Sequence, residues 1–157
     1  MPDMLVKLYE LPDLAPALER TAGIEIRRGL VPEKHFVVGW VREHFHERWA
    51  SECDVAFARQ PVTCFVAIEN RAVLGFACYD TTARGFFGPT GVAEETRGRG
   101  VGKALLLVCL HDMAAQGYGY AIIGGAGPVD FYANACNAVA IEGSWPGIFR
   151  GLLGTGE

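Results

Sequence analysis

The residues TRGRGVGKAL, Thr96 to Leu105, combine three glycines with three cations and lead straight into an apolar run. Glycine lets an anion approach the backbone closely. Arg97, Arg99 and Lys103 add positive charge at the rim. If a helix begins here, its first amides have no internal partner and point, with the positive end of the helix dipole, at whatever lies beyond. That is the chemistry of phosphate binding. Two well-known loops do not fit. A Walker loop aligned on Gly102-Lys103 would have Arg97 in place of its first glycine and Ala104 in place of its magnesium-binding hydroxyl. A Rossmann loop fails because the glycines fall at Gly98, Gly100 and Gly102. The bland alternative is a glycine-rich turn with solvated cations, and position between a strand and a helix argues against it.

The flanking pattern supplies that position. Val101, Leu105, Val108, Cys109 and Met113 recur at helical steps, so a helix is expected over 100–116, closed by Gly117. Before it come three expected strands, VTCFVAIE, AVLGFACYD and GFFGPTGV. The first two are joined by Asn70-Arg71, a short turn that suggests a hairpin. The third holds Gly88, Pro89 and Gly91, so it should be distorted near its end. After the helix, YGYAIIGGAG reads as a buried strand and PVDFYANAC as a short helix opened by Pro128. Upstream, MLVKLYEL reads as a short strand, PDLAPALERTAG as a short helix and Ile24–Leu30 as a strand. Phe36, Val37, Trp40, Val41 and Phe45 then recur on an apolar face at helical steps, with a break before a second helix that takes in Trp49 to Phe57. The tail AVAIEGSWPGIFRGLL offers one or two further strands. This order predicts an α/β fold with a mixed, largely antiparallel sheet flanked by helices, and one parallel step across the glycine loop.

GVAEETRGRGVGKALL resembles the acetyl-CoA signature of the GNAT family of N-acetyltransferases, [QR]-x-x-G-x-[GA], with Arg97, Gly100 and Gly102 on its fixed positions. The order of elements from Ile24 onward resembles that fold too. The resemblance implies a division into an extension, 1–23, and an acetyltransferase domain, 24–157. It implies that the strand before the loop splays from the next and opens a cleft. It implies acetyl-CoA as co-substrate, held by the backbone of Val92 along its arm and by Arg97, Gly98, Arg99, Gly100, Val101, Gly102 and Lys103 at its pyrophosphate. DFYANACNAV resembles a second family segment, in which a tyrosine protonates the leaving thiolate, and Tyr132 falls on that tyrosine. A core tyrosine with a satisfied hydroxyl is the alternative. Cys136-Asn137 replace the usual Gly-Phe, and Gly125 stands where the family often has an asparagine.

The expected function is transfer of an acetyl group to the amine of a small molecule. The strand GFFGPTGV holds no carboxylate to serve as base. Glu43, His44, His46, Glu47 and Glu52 lie in the helical segment flanking the acceptor side, each readable as solvated surface, as are His35 and His111. Trp40, Trp49 and Trp145 could wall a pocket or fill a core. Wording such as GPTGV…RGRGVGKALL is similar to versions found beside carbohydrate-active enzymes, which implies an amino sugar. A non-catalytic acyl-CoA-binding or regulatory module, and an acetyltransferase acting on a protein or peptide amine, stand as alternatives.

The formal net charge of −4 over 157 residues argues against nucleic acid as a partner. The cysteines at 53, 64, 78, 109 and 136 are odd in number and form no C-x-x-C, so neither a metal site nor a disulfide framework is expected. Together with a start lacking the signal-peptide pattern, they suggest the reducing cytoplasm. No apolar run reaches the length of a membrane span, so no membrane partner is expected. A homodimer is left open.

Overall fold

The computed structural model describes residues 1–154. Seven strands form one sheet in the order β2-β3-β4-β5-β6-β1-β7. They are β1 (Met4–Lys7), β2 (Glu25–Arg28), β3 (Cys64–Glu69), β4 (Ala72–Tyr79), β5 (Phe86–Val92), β6 (Tyr120–Ile123) and β7 (Val139–Ala140). All pairings are antiparallel except β5 with β6. The helices are α1 (Ala15–Arg20), α2 (Lys34–His44), α3 (Glu47–Phe57), α4 (Val101–Ala115) and α5 (Val129–Cys136).

Two cores lie on the two faces, as strand alternation requires. On β3 and β4, Phe65, Ala67, Ala77 and Tyr79 join the core built on α4, α5 and α1. Their neighbours Cys64, Val66, Phe76 and Cys78 join the core under α2 and α3. Helix α4 is apolar on nearly every side, with Ala104, Leu105, Leu106, Leu107 and Leu110 all buried. Its far end is tied down by a polar network. Arg28 clamps Asp112 at 2.6 and 3.1 Å, and Tyr79 donates to the same carboxylate at 2.5 Å. The glycine loop is therefore attached to a rigid rod.

The hairpin β3–β4 turns at Asn70-Arg71, both at positive φ. Two details refine the expected pattern and one departs from it. The second helix of the broken pair takes in Trp49 to Phe57 and starts two residues earlier, at Glu47, because the His46 side chain accepts from the Trp49 amide and caps it. Phe36, expected on an apolar helix face, is 65% exposed. The tail forms one further strand, the two-residue β7, and then bends and a short 3-10 turn, Gly147–Phe149. The sheet position beside β6 that the tail would need is occupied by β1, which pairs β6 on one edge and β7 on the other. Residues 1–23 thus contribute a strand to the interior of the sheet.

Candidate active site

Strands β5 and β6 pair in parallel only at Phe86–Ile122 and Phe87–Ile123. Beyond Phe87, β5 stays with β4 through Gly91 and Val92 while its other edge is left open among the described residues. The cause lies in β5 itself: Gly88 has φ +122, Pro89 brings no amide, and the β4–β5 register shifts between Ala77 and Tyr79. Successive strand amides point to opposite edges. The Ala93 amide donates to Leu74 on the β4 side, so that of Val92 faces the gap.

A 3-10 turn, Glu94–Thr96, leads from β5 into the glycine loop. Gly98 and Gly100 have φ +89 and +84, a region L side chains rarely adopt. Gly100 is the N-cap of α4, and the first intrahelical amide is that of Ala104, donating to Gly100. The amides of Val101, Gly102 and Lys103 precede it and remain available at the helix mouth. Gly102 packs beside Val92, where an added Cβ would sit 3.6 Å from Val92 Cγ2. The sequence-identified loop residues and Val92 are therefore brought together at the head of the gap.

The basic side chains differ. Arg99 is bound in a bidentate pair with Glu69, at 2.8 and 3.2 Å, which lowers the Glu69 pKa. Arg97 and Lys103 have no ion-pair partner among the described residues. A further cation escaped the sequence reading. Arg20, at the end of α1, lies across the loop and donates to the Gly98 carbonyl at 3.4 Å. Its sequence signal is only a basic residue in a last helical turn, so nothing local could have placed it there.

Tyr132 sits on α5, 7% exposed, edge-on to Phe131. Its hydroxyl makes no hydrogen bond to any described residue. Burial pushes its pKa up to about 12, with a smaller contribution from Cys136. The Cys136 thiol donates to the Tyr132 carbonyl at 3.3 Å, and burial pushes its pKa up to about 11. Cys136 is therefore protonated and poorly suited to be a nucleophile.

On the opposite face, Phe45 at the α2–α3 break lies flat on β5. A Cβ at Gly91 would fall 2.3 Å from its ring, so only glycine fits there. Trp49 and Phe76 join Phe45, at centroid distances of 5.0 and 5.8 Å. Trp40 packs on the same core. Beyond β6, Trp145 and Phe149 pack on Gly125, and Phe149 and Phe86 together close on Gly124. Trp145 is half-exposed. Asp3, missed in the sequence, holds this end together. Its carboxylate accepts from the Gly125 amide at 2.8 Å, and its amide donates to Ser144 at 2.7 Å.

The candidate bases separate. Glu43 and His35 are exposed. Glu47 pairs with Arg42, and His44 stacks on Trp40. His46 has a lowered pKa from burial and from Arg48. His111 is half-buried rather than a surface residue, with Nε2 2.8 Å from the Pro12 carbonyl. Glu52 is half-buried and accepts from the Thr82 hydroxyl, and burial raises its pKa. The adjacent Thr81 donates to the Gly88 carbonyl at 3.0 Å, where the splay begins.

The acetyltransferase (GNAT) family model matches residues 27–135. No curated protein sequence matches the chain. Among solved structures, a GCN5-related glucosamine N-acetyltransferase region of a fungal multi-domain GH3 β-N-acetylglucosaminidase aligns at TM-score 0.72 and 17% identity, covering 89% of this chain and 19% of that one. A GCN5-related N-acetyltransferase from Sphaerobacter thermophilus aligns at 0.70 and 22%, covering 89% and 48%. One from Kribbella flavida aligns at 0.63 and 15%, covering 88% and 53%. The chain thus spans about half or less of each of these proteins. No described helix is long and apolar enough to cross a membrane.

Proposed function

The chain belongs to the GNAT family of acetyltransferases, and from that premise we propose that it transfers an acetyl group from acetyl-CoA directly to the amine of a small molecule. The observation that carries this reading is the open edge of β5 ending at a positive-φ glycine loop on the mouth of α4. An extended amide-bearing arm can pair with that edge, and a pyrophosphate can sit on the amides of Val101, Gly102 and Lys103. Arg97, Lys103 and Arg20 add positive charge around that position, while the charge of Arg99 is taken up by Glu69. Acetyl-CoA supplies the activated thioester.

The residues then have distinct tasks. The Val92 amide, turned to the gap, offers a donor to the negative charge that develops on the carbonyl oxygen. Tyr132 holds a proton at its hydroxyl and gives it to the departing sulfur. The burial that raises Tyr132 also disfavours a bare thiolate, so the proton affinity of the departing sulfur rises along with that of its donor. The attacking nitrogen must be neutral. Strand β5 has no titratable group, so the amine is captured in its neutral fraction or loses its proton through water to Glu52 or His46.

An amino sugar suits this scheme better than a lysine-like amine. A primary alkylamine with a pKa near about 10.4 is almost wholly protonated at neutral pH, and an amino-sugar nitrogen is less basic. The aromatic walls at Phe45–Trp49 and Trp145–Phe149 offer flat apolar faces for a sugar ring. The fungal glucosamine N-acetyltransferase region of similar fold points the same way. Protein and peptide amines form the competing acceptor class. The test is thiol release from acetyl-CoA against a panel of amino sugars, polyamines and peptides. Acetylated amino sugar in the product identifies the reaction. Coenzyme A binding with no thiol released by any amine would mark a binding module instead.

A further inference from the structure

Cys53, Cys64 and Cys78 are scattered in sequence and meet in space. Cys64 and Cys78 face each other directly across β3 and β4. Cys53 descends on them from α3. The three sulfurs all lie within 4.8 Å of one another, and those of Cys53 and Cys64 are 4.0 Å apart. All three are free thiols with no exposed surface. Around them are apolar side chains of the α2–α3 core, including Val41, Ala50, Phe57, Val66 and Phe76.

We propose that these three thiols form a binding site for a trivalent thiophilic centre, arsenite or its antimony analogue. Three features select that class. The first is ligand number. No further cysteine and no histidine, aspartate or glutamate joins the group among the described residues. Structural zinc is almost always four-coordinate, whereas trivalent arsenic is satisfied by three sulfurs and a lone pair.

The second is charge. A buried ion without a partner carries a large desolvation penalty, and among the described residues no cation acts on the three thiols. Copper(I) on two or three thiolates, or zinc on three, leaves a net negative charge. Arsenite does not. As(OH)₃ and three thiols give As(SCys)₃ and three waters. Three As–O bonds and three S–H bonds break, three As–S bonds and three O–H bonds form, no electrons are transferred, and the product is neutral. The third is access. As(OH)₃ is uncharged at neutral pH, so it can enter through a local opening of α3 without carrying charge into the core. Entry through such openings makes binding slow.

The occupied site would cross-link α3 to β3 and β4. Glu52 directly precedes Cys53, so occupancy would also pin the segment that borders the proposed acceptor face. The site does not depend on acetyl transfer and can be examined without it.

The experiment is intact-mass measurement of the reduced, folded protein after incubation with arsenite and removal of excess, with arsenic X-ray absorption on the same sample. The expected result is one arsenic per chain. The mass gain should equal one arsenic less three hydrogens, with three sulfur neighbours and no oxygen. Cys53→Ser, Cys64→Ser and Cys78→Ser should each lose retention at least about 100-fold, beyond what loss of an outer-shell partner costs. Cys109→Ser and Cys136→Ser should keep it. Where a serine variant does not fold, the alanine variant replaces it, and the wild-type mass and absorption data decide independently. No retained arsenic, a product that keeps an oxygen, or equal retention in the three variants would overturn the proposal. So would retention of copper(I) or zinc in preference to arsenite.

Discussion

Gly100 and Gly102 lie two residues apart in one loop, and the structure assigns them opposite responses to the same substitution. Gly100 has φ +84, and an L residue held there costs about 1–2 kcal/mol. Its added Cβ would also fall 2.9 Å from Arg20 Cδ, but that is a flexible exposed side chain that can swing aside. The dihedral therefore dominates. In a chain of this size 1 kcal/mol moves the thermal midpoint by about 2–4 °C, so Gly100→Ala should lower it by about 2–8 °C. The loop can relieve the strain only by rotating the peptides around the α4 N-cap, which turns their amides from a bound phosphate. Coenzyme A affinity should fall at least about tenfold, or roughly 1.4 kcal/mol. Gly102 is already helical. Its Cβ would meet Val92 at 3.6 Å, an ordinary contact. Alanine is favoured over glycine inside a helix by about 0.8–1 kcal/mol, so Gly102→Ala should hold or raise stability and leave affinity within about threefold. Calorimetry with coenzyme A and thermal unfolding of both variants make the comparison. A folded Gly100→Ala protein with wild-type affinity would refute the placement of the pyrophosphate.

Tyr132→Phe removes a hydroxyl that has no hydrogen-bond partner among the described residues, so stability should hold while turnover falls about 10²–10⁴-fold; steady-state rates beside coenzyme A affinity separate the two, and undiminished turnover would leave Tyr132 a packing residue. Because Tyr132 titrates only near 12, kcat should show no descending limb between about pH 7 and 10. With capture of neutral amine, kcat/KM should rise with pH to a plateau that tracks the pKa of each acceptor. A limb fixed near about pH 6–7 for all acceptors would instead report an enzyme group, and Glu52→Gln and His46→Gln would then decide which. The Arg27–Glu33 pair, at 2.6 Å, holds the Glu33 carboxyl at about 2, against 4.5 when free. A depressed carboxyl stabilises fully above its unfolded value and loses that contribution as pH falls through the folded one. Glu33→Gln should thus cost about 1 kcal/mol at pH 7 for this partly exposed pair, a deficit that shrinks below about pH 4.5 and is mostly gone as pH reaches about 2; a pH-independent deficit in denaturant melts would contradict the assignment.

What could be read from the residues alone is what the chain specifies over a few neighbours. The three spaced glycines before an apolar helix pointed to a left-handed loop with free first helical amides, because αL backbone and unpaired first amides are local properties. The distortion of β5 followed from Gly88-Pro89, and the β3–β4 hairpin from Asn70-Arg71. The tertiary structure decided everything that depends on which distant segment fills a space. β1 lies beside β6 because a sheet edge accepts whichever strand matches its hydrogen bonds and apolar face, and no local pattern names that strand. The same holds for Arg20 over the glycine loop, Asp3 against Gly125, Phe45 on Gly91 and Glu52 beside Thr82. It holds most clearly for Cys53, Cys64 and Cys78. Their spacing argues against a shared site, yet the register of β3 on β4 and the seat of α3 bring the three sulfurs together. Sequence spacing encodes ligand sets only when one turn or hairpin carries them, and here the three come from separate elements joined by packing.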